Sequence, residues 1–268
     1  MRRRGPDAVV RWLVVTVSLL AGSPAAAQKL PEAVPPPDIP GFLNRSEFSL
    51  MLALLGTSDP RFKAAGALNA DVDIADYGSG RVNVFVDYQG VLGSERRAFD
   101  LNHGNYIMEA SASWRFGEVE VSGVYHHVSR HVNDRENAES VSWNVLGVRA
   151  ARQWRAGQST IDGQVDLGSV EDAHFVDYTF AGSIGVALRR PLSERVGVYA
   201  GGRGELLGVD DRIRDHGPCG ARIEGGLRFL GRGAELEVFL AYERRIDAYP
   251  TEFSRVRFPA FGVRLTNR

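Results

Sequence analysis

The chain has 268 residues, a formal net charge of −1 and one cysteine, Cys219. The length suits one large domain or two small ones. A near-neutral balance supplies no basic field for nucleic acid, and a lone cysteine excludes an internal disulfide framework and a cysteine-built zinc cluster.

The amino terminus reads as an export signal spanning residues 1–27. "MRRRG" gives a positive start, "VVRWLVVTVSLLAG" an apolar stretch, and "SPAAAQ" the small residues of a cleavage site after Ala27. The apolar run falls short of the roughly 20 residues a spanning helix needs. Residues 28–45 include the proline-rich "KLPEAVPPPDIPG" and read as an extended periplasmic linker.

From residue 46 to 268 the dominant signal is period-two alternation. "LNADVDIA" sets Leu68, Ala70, Val72 and Ile74 against Asn69, Asp71 and Asp73. "RVNVFVDYQ", "YIMEASASWRF", "TIDGQVDLG", "YTFAGSIGVAL", "ARIEGGLRF" and "AELEVFLAYE" repeat the rule. A soluble sandwich also alternates, but these segments run about ten residues, the length of a tilted bilayer-crossing strand. Aromatics gather at the segment ends. Trp114, Phe116, Trp154 and Phe229 mark one rim; Tyr88, Tyr106, Tyr125, Tyr178 and Tyr242 mark the other. Two such girdles are expected of a membrane barrel, because amphipathic rings favour the headgroup level.

The connections fit that reading. Tight links such as "DYGSGR", "FGEV" and "GRG" alternate with long ones such as "RHVNDRENAE" and "GVDDRIRDHGPCG", as periplasmic turns alternate with outer loops. The expected fold is an all-β, transmembrane, antiparallel up-and-down barrel of about twelve strands, from "EFSLMLALL" to "FPAFGVRLTNR". The first segment also reads as a short apolar helix, but even strand numbers favour a strand. The inward face carries acids and arginines, with Arg203, Glu205, Arg222, Glu224 and Arg228 as neighbours in one wall. They suit either a plugging ionic network or the lining of an open channel. The chain is therefore expected in the outer membrane of a Gram-negative cell, in contact with outer-membrane lipid. Barrel-assembly and periplasmic chaperone machinery are its expected partners.

One cluster carries chemistry. "YHHVSRHVND" holds three of the chain's six histidines at the end of a strand that leads into a long loop. Counting by two from Val119, Val121 and Tyr125 puts His127 and Ser129 on the lipid face and His126 inward. On the next strand the even positions Leu146, Val148 and Ala150 form the more apolar set, so Asn144 joins the outer face. A bulge would reverse that parity and put Trp143 outside. A histidine, a serine and an asparagine together have the makings of a base, a nucleophile and an orienting group. His126, His127, His131 and Asp134 make a poorer metal set, since His126 and His127 point to opposite faces. Asp134, Glu136 and Glu139 in the following loop offer oxygens suited to calcium, or simply a solvated loop.

The residues His127-Val-Ser129 followed by Ser142-Trp-Asn144 resemble outer membrane phospholipase A. That resemblance implies Ser129 as nucleophile, His127 as base, Asn144 as its partner, calcium as cofactor and a homodimer. Arg130 stands where that family has Asn-Gly. The His-x-Ser pair also resembles the lipid A deacylases, in which a glutamate completes the site; Glu136 or Glu139 is the corresponding group. A third resemblance is to an uncharacterised family of outer-membrane barrels with the signature His-x-Ser-Ser-His-x-x-Asp. It would match His127, Ser129, His131 and Asp134, with Arg130 replacing a serine. Two functional readings follow: a structural or transport barrel with a polar strand end, or a lipid acyl hydrolase with a lipid-facing site. No nucleic-acid partner is expected.

Overall fold

The computed structural model describes residues 30–133, 140–212, 218–250, 252 and 254–267. The signal segment 1–27 lies outside them. Twelve strands form among the described residues: β1 (Gly41–Leu55), β2 (Ala64–Asp76), β3 (Arg81–Gly93), β4 (Asp100–Phe116), β5 (Val119–Val132) and β6 (Ser140–Ala156), then β7 (Ser159–His174), β8 (Tyr178–Pro191), β9 (Val196–Val209), β10 (Cys219–Leu230), β11 (Ala234–Ile246) and β12 (Arg255–Asn267). Every neighbouring pair is antiparallel. β1 also pairs with β12, from Ser49↔Thr266 to Leu55↔Ala260, which closes the barrel. "EFSLMLALL" is thus a strand, and β1 starts five residues before the expected boundary at residue 46.

The alternation decides what faces where. Phe48, Leu50, Leu52 and Leu54 of β1 are exposed on the outside, while Met51, Ala53 and Leu55 are buried within. The same outward apolar set recurs around the wall, for example Leu146 and Val148, or Leu236 and Leu240. A water-soluble protein does not display so continuous an apolar exterior; a bilayer is the solvent that matches it. Closure also leaves no strand edge with unpaired backbone groups, as a hydrocarbon environment demands.

The tight turns collect at one end, taken as periplasmic. Two of them contain only two residues. Gly117 and Gly157 open these turns at φ +61° and +62°, a left-handed geometry that a side chain resists and glycine accepts.

The girdle expectation holds with one correction. Trp114, Phe116, Trp154, Phe229, Tyr106, Tyr125 and Tyr242 are exposed on the exterior, but Tyr178 is buried in the interior at 4 % exposure. A register irregularity between Tyr178 and Phe180 on β8 shifts the parity there. The tyrosine turns inward, donates to Asp247 at 2.6 Å and packs edge-on against Trp143.

Inside, ion pairs bridge the wall. Arg222 meets Glu224 at 2.7 Å and Glu243 at 3.0 Å; Arg264 joins Glu224 at 3.0 Å and also bonds Glu237. Across the lumen Arg149 binds Glu109 and Asp166, and Arg81 binds Asp73 and Glu120, each at 2.8 Å. In the sequence-based choice between an ionic network and an open lining, the interior carries the network. Nearer the outer mouth Phe62, His103, Ile246 and Phe258 are fully buried. A cavity of about 730 Å³ remains in the periplasmic half.

By composition residues 28–45 read as a periplasmic linker. Instead, Gly41 to Arg45 belong to β1, and Leu30 to Pro36 line the lumen cavity. Leu30 and Pro31 are buried inside the barrel. Proline content says nothing about what the segment docks against.

Candidate functional site

β5 and β6 are paired so that His127 lies opposite Asn144 and Ser129 opposite Ser142. Both parity assignments from the sequence are seen: His126, Val128, Trp143 and Val145 line the interior, so His127, Ser129 and Asn144 face outward. His126 lies 3.2 Å from Glu109 inside the lumen, well apart from the outer cluster.

Outside, the side chains make a defined network. His127 Nδ1 and Asn144 Oδ1 are 2.7 Å apart. An amide oxygen only accepts, so the bond requires the proton on Nδ1 and leaves the Nε2 lone pair free. Tyr125 donates to the same Oδ1 at 2.9 Å. Asn144 Nδ2 points to Asp172 Oδ2 at 3.4 Å on β7, which fixes which way the amide is turned.

Ser129 differs from the expected arrangement. Its hydroxyl lies 2.8 Å from His131 Nε2, with His131 two residues farther along the same face. The sequence reading paired Ser129 with His127; the structure pairs it with His131 instead. His131 is itself packed edge-on against Tyr106 at 5.4 Å between centroids. Tyr106 is the cross-strand neighbour of Ser129 on β4 and packs at a tilt against Tyr88, with ring centroids 5.0 Å apart. Exposed tyrosines favour the headgroup level, and Ser129 is paired with one of them.

Tyr125 and Asp172 were not found from the sequence. Tyr125 carries the same parity as His127, so its signal was present. Asp172 reaches Asn144 only because the β6–β7 register shifts between Asn144 and Val145, a long-range feature that leaves no local trace. Asp134, Glu136 and Glu139, the expected calcium donors and alternative third members, lie outside the described residues.

No protein-family model and no curated protein matches the chain. Among solved structures, outer membrane phospholipase A from Escherichia coli is similar with a TM-score of 0.52 at 12 % identity, over 85 % of this chain and 98 % of that one. The Salmonella typhi outer membrane phospholipase dimer with bound calcium aligns with a TM-score of 0.51 at 12 % identity, over 90 % and 94 % of the two chains. The KdgM porin in complex with disordered oligogalacturonate has a TM-score of 0.48 at 5 % identity, over 83 % and 98 %. The first two likenesses place the chain in the fold class of outer-membrane barrels.

Proposed function

We propose that this barrel works from its lipid-facing side as an acyl hydrolase of outer-leaflet lipids. The observation that carries the proposal is the Ser129–His131 pair at 2.8 Å on the outer face, beside His127 held by Asn144 at 2.7 Å. A serine and two histidines sharing one lipid-facing patch supply the nucleophile and base that acyl transfer needs.

In this mechanism Ser129 Oγ attacks the ester carbonyl carbon while its proton passes to His131 Nε2. The bond to the lysolipid oxygen then breaks, and His131 returns the proton to that oxygen. Water attacks the acyl-serine next. His131 takes the water's proton, the fatty acid leaves and the Ser129 hydroxyl is restored. Asn144, itself held by Tyr125, orients His127, which is the rival base.

Asp172 is the carboxylate that the described part of the cluster supplies, and one carboxylate falls short of the six to eight or so oxygens calcium takes. A homodimer belongs to the same proposal: two copies facing across β5 and β6 would shield the cluster from lipid tails. Cross-linking in native membranes reads that directly.

A second reading, a structural or transport barrel, is favoured by the 730 Å³ cavity open on the periplasmic half. The interior ion pairs weigh against free diffusion through it. A serine-reactive phosphonate separates the two readings. The hydrolase reading expects a covalent adduct on the peptide containing Ser129, absent in Ser129→Ala. A folded barrel that takes up no probe, yet conducts ions in a planar bilayer, would favour transport.

A further inference from the structure

Leu30, Pro31, Glu32 and Ala33 run along the inner wall of β7, β8 and β9, and the contacts there are specific. Arg189 on β8 donates to the Pro31 carbonyl at 2.9 Å. Ala33 N donates to Asp162 Oδ1 at 3.1 Å, and Asp162 is itself held by Arg189 at 2.6 Å and by Gln153 at 2.8 Å. Arg189 also lies 3.6 Å from the Glu32 carboxylate. Leu30, 5 % exposed, joins the buried cluster that includes Ala187, Tyr199, Met51 and Phe239.

The wall is shaped for this segment. At Gly185 an added Cβ would come within 2.7 Å of Pro31 Cγ; at Gly201 it would meet Leu30 Cδ1 at 2.7 Å as well as the Val186 carbonyl oxygen at 2.5 Å. Both glycines face the lumen at the two points where Pro31 and Leu30 lie against the wall. A missing side chain in a lumen wall usually leaves space or water; here that space is filled by the segment's own side chains. An arginine–aspartate pair captures backbone groups of the segment, one acting as donor and the other as acceptor. Such paired capture of an extended backbone reads main-chain geometry, while the glycine hollows read Leu-Pro.

We infer that the inner face of β7, β8 and β9 is a peptide-binding seat, that its ligand is the chain's own extended Leu30–Ala33 segment, and that seating covers part of the lumen wall from the periplasmic side. The inference does not depend on the hydrolase reading, since the two sites lie on opposite faces of the wall.

The test uses the full chain with Cys219→Ser and a reporter thiol introduced as Ala187→Cys, at a fully buried position beside Leu30. The refolded barrel is treated with a charged, impermeant thiol reagent. At Gly185 an added Cβ meets Pro31 first and the Gly202 carbonyl only at 3.8 Å, so Gly185→Val is directed at Pro31, and Leu30→Asp removes the apolar anchor. Each is expected to raise the labelling rate at least tenfold while the barrel keeps its heat-dependent gel shift. In parallel, proteinase K followed by mass measurement reads the segment without the reporter. Residues 30–33 are expected to stay attached in the parent chain and to be trimmed in both variants. Unchanged labelling with unchanged trimming in folded Gly185→Val and Leu30→Asp would overturn the seat.

Discussion

Ser129 and His131 stand two residues apart on one strand face, and the serine hydroxyl meets the histidine Nε2 at 2.8 Å. His127, two residues the other way, is engaged with Asn144 instead. The serine thus lies between two histidines, one touching it and one oriented by an amide. This arrangement makes the choice of base an experimental question with distinct outcomes.

His131→Ala is expected to lower kcat on a phospholipid ester by about 100-fold or more, the usual scale for losing a general base. His127→Ala is expected to cost less and to act partly through KM. Initial rates in mixed micelles measure both. A larger loss for His127→Ala would transfer the role of base to His127.

The tautomer of His127 follows from its bond to Asn144. Nitrogen NMR of ring-labelled histidine should show the Nδ1–H form in the parent chain. Asn144→Leu removes the acceptor and should give a mixture dominated by the opposite tautomer, which is the commoner one for a free imidazole. An unchanged spectrum would mean that the bond does not control the ring.

Much of this was legible in the sequence. Period-two alternation exposed the strands, and counting by two put His127 and Ser129 outside and His126 inside, because a strand side chain has only two directions. Counting fails wherever the register slips. Alternation puts Tyr178 in the outer girdle, yet it lies in the lumen because of one irregularity on β8. Asp172 reaches Asn144 through a similar shift between β6 and β7. The pairing of Ser129 with His131 rather than His127 is a matter of side-chain rotamers, to which alternation is blind. The seat for Leu30 and Pro31 depends on glycines more than 150 residues away, and proline content alone suggests only a linker.

The interior ion pairs should matter more than those at the surface. Glu224 has a fully buried side chain between Arg222 and Arg264. Glu224→Ala takes one carboxylate from each of two arginines, which keep Glu243 and Glu237, and is expected to destabilise the barrel by about 2–3 kcal/mol. Glu118, largely exposed in its pair with Arg152, should cost less than about 1 kcal/mol when changed to alanine. Urea unfolding from lipid vesicles measures both, and equal effects would remove the interior network from the account.

An outer-loop clasp gives a pH dependence. Arg61 joins Asp59 at 2.9 Å and Glu252 at 3.0 Å, and its backbone N–H donates to Asp59 Oδ1 at 2.9 Å. The hydrogen bond from Arg61 holds the Asp59 carboxyl below its ordinary value of 3.8. A depressed carboxyl contributes stability that is fully present above the unfolded value and lost as pH falls through the folded one. Amide protection at Arg61, corrected for intrinsic exchange, should therefore be constant from neutral pH to about 4.5 and fall only below 3.8. Loss of protection near pH 6 would contradict the clasp.

Fatty-acid release from phospholipid vesicles carrying the refolded barrel tests the central claim most directly. Steady release by the parent chain, with at least about a thousandfold loss in Ser129→Ala of equal gel mobility, is the predicted result. Release that is the same for both proteins, or absent from a fully folded parent chain, would contradict it.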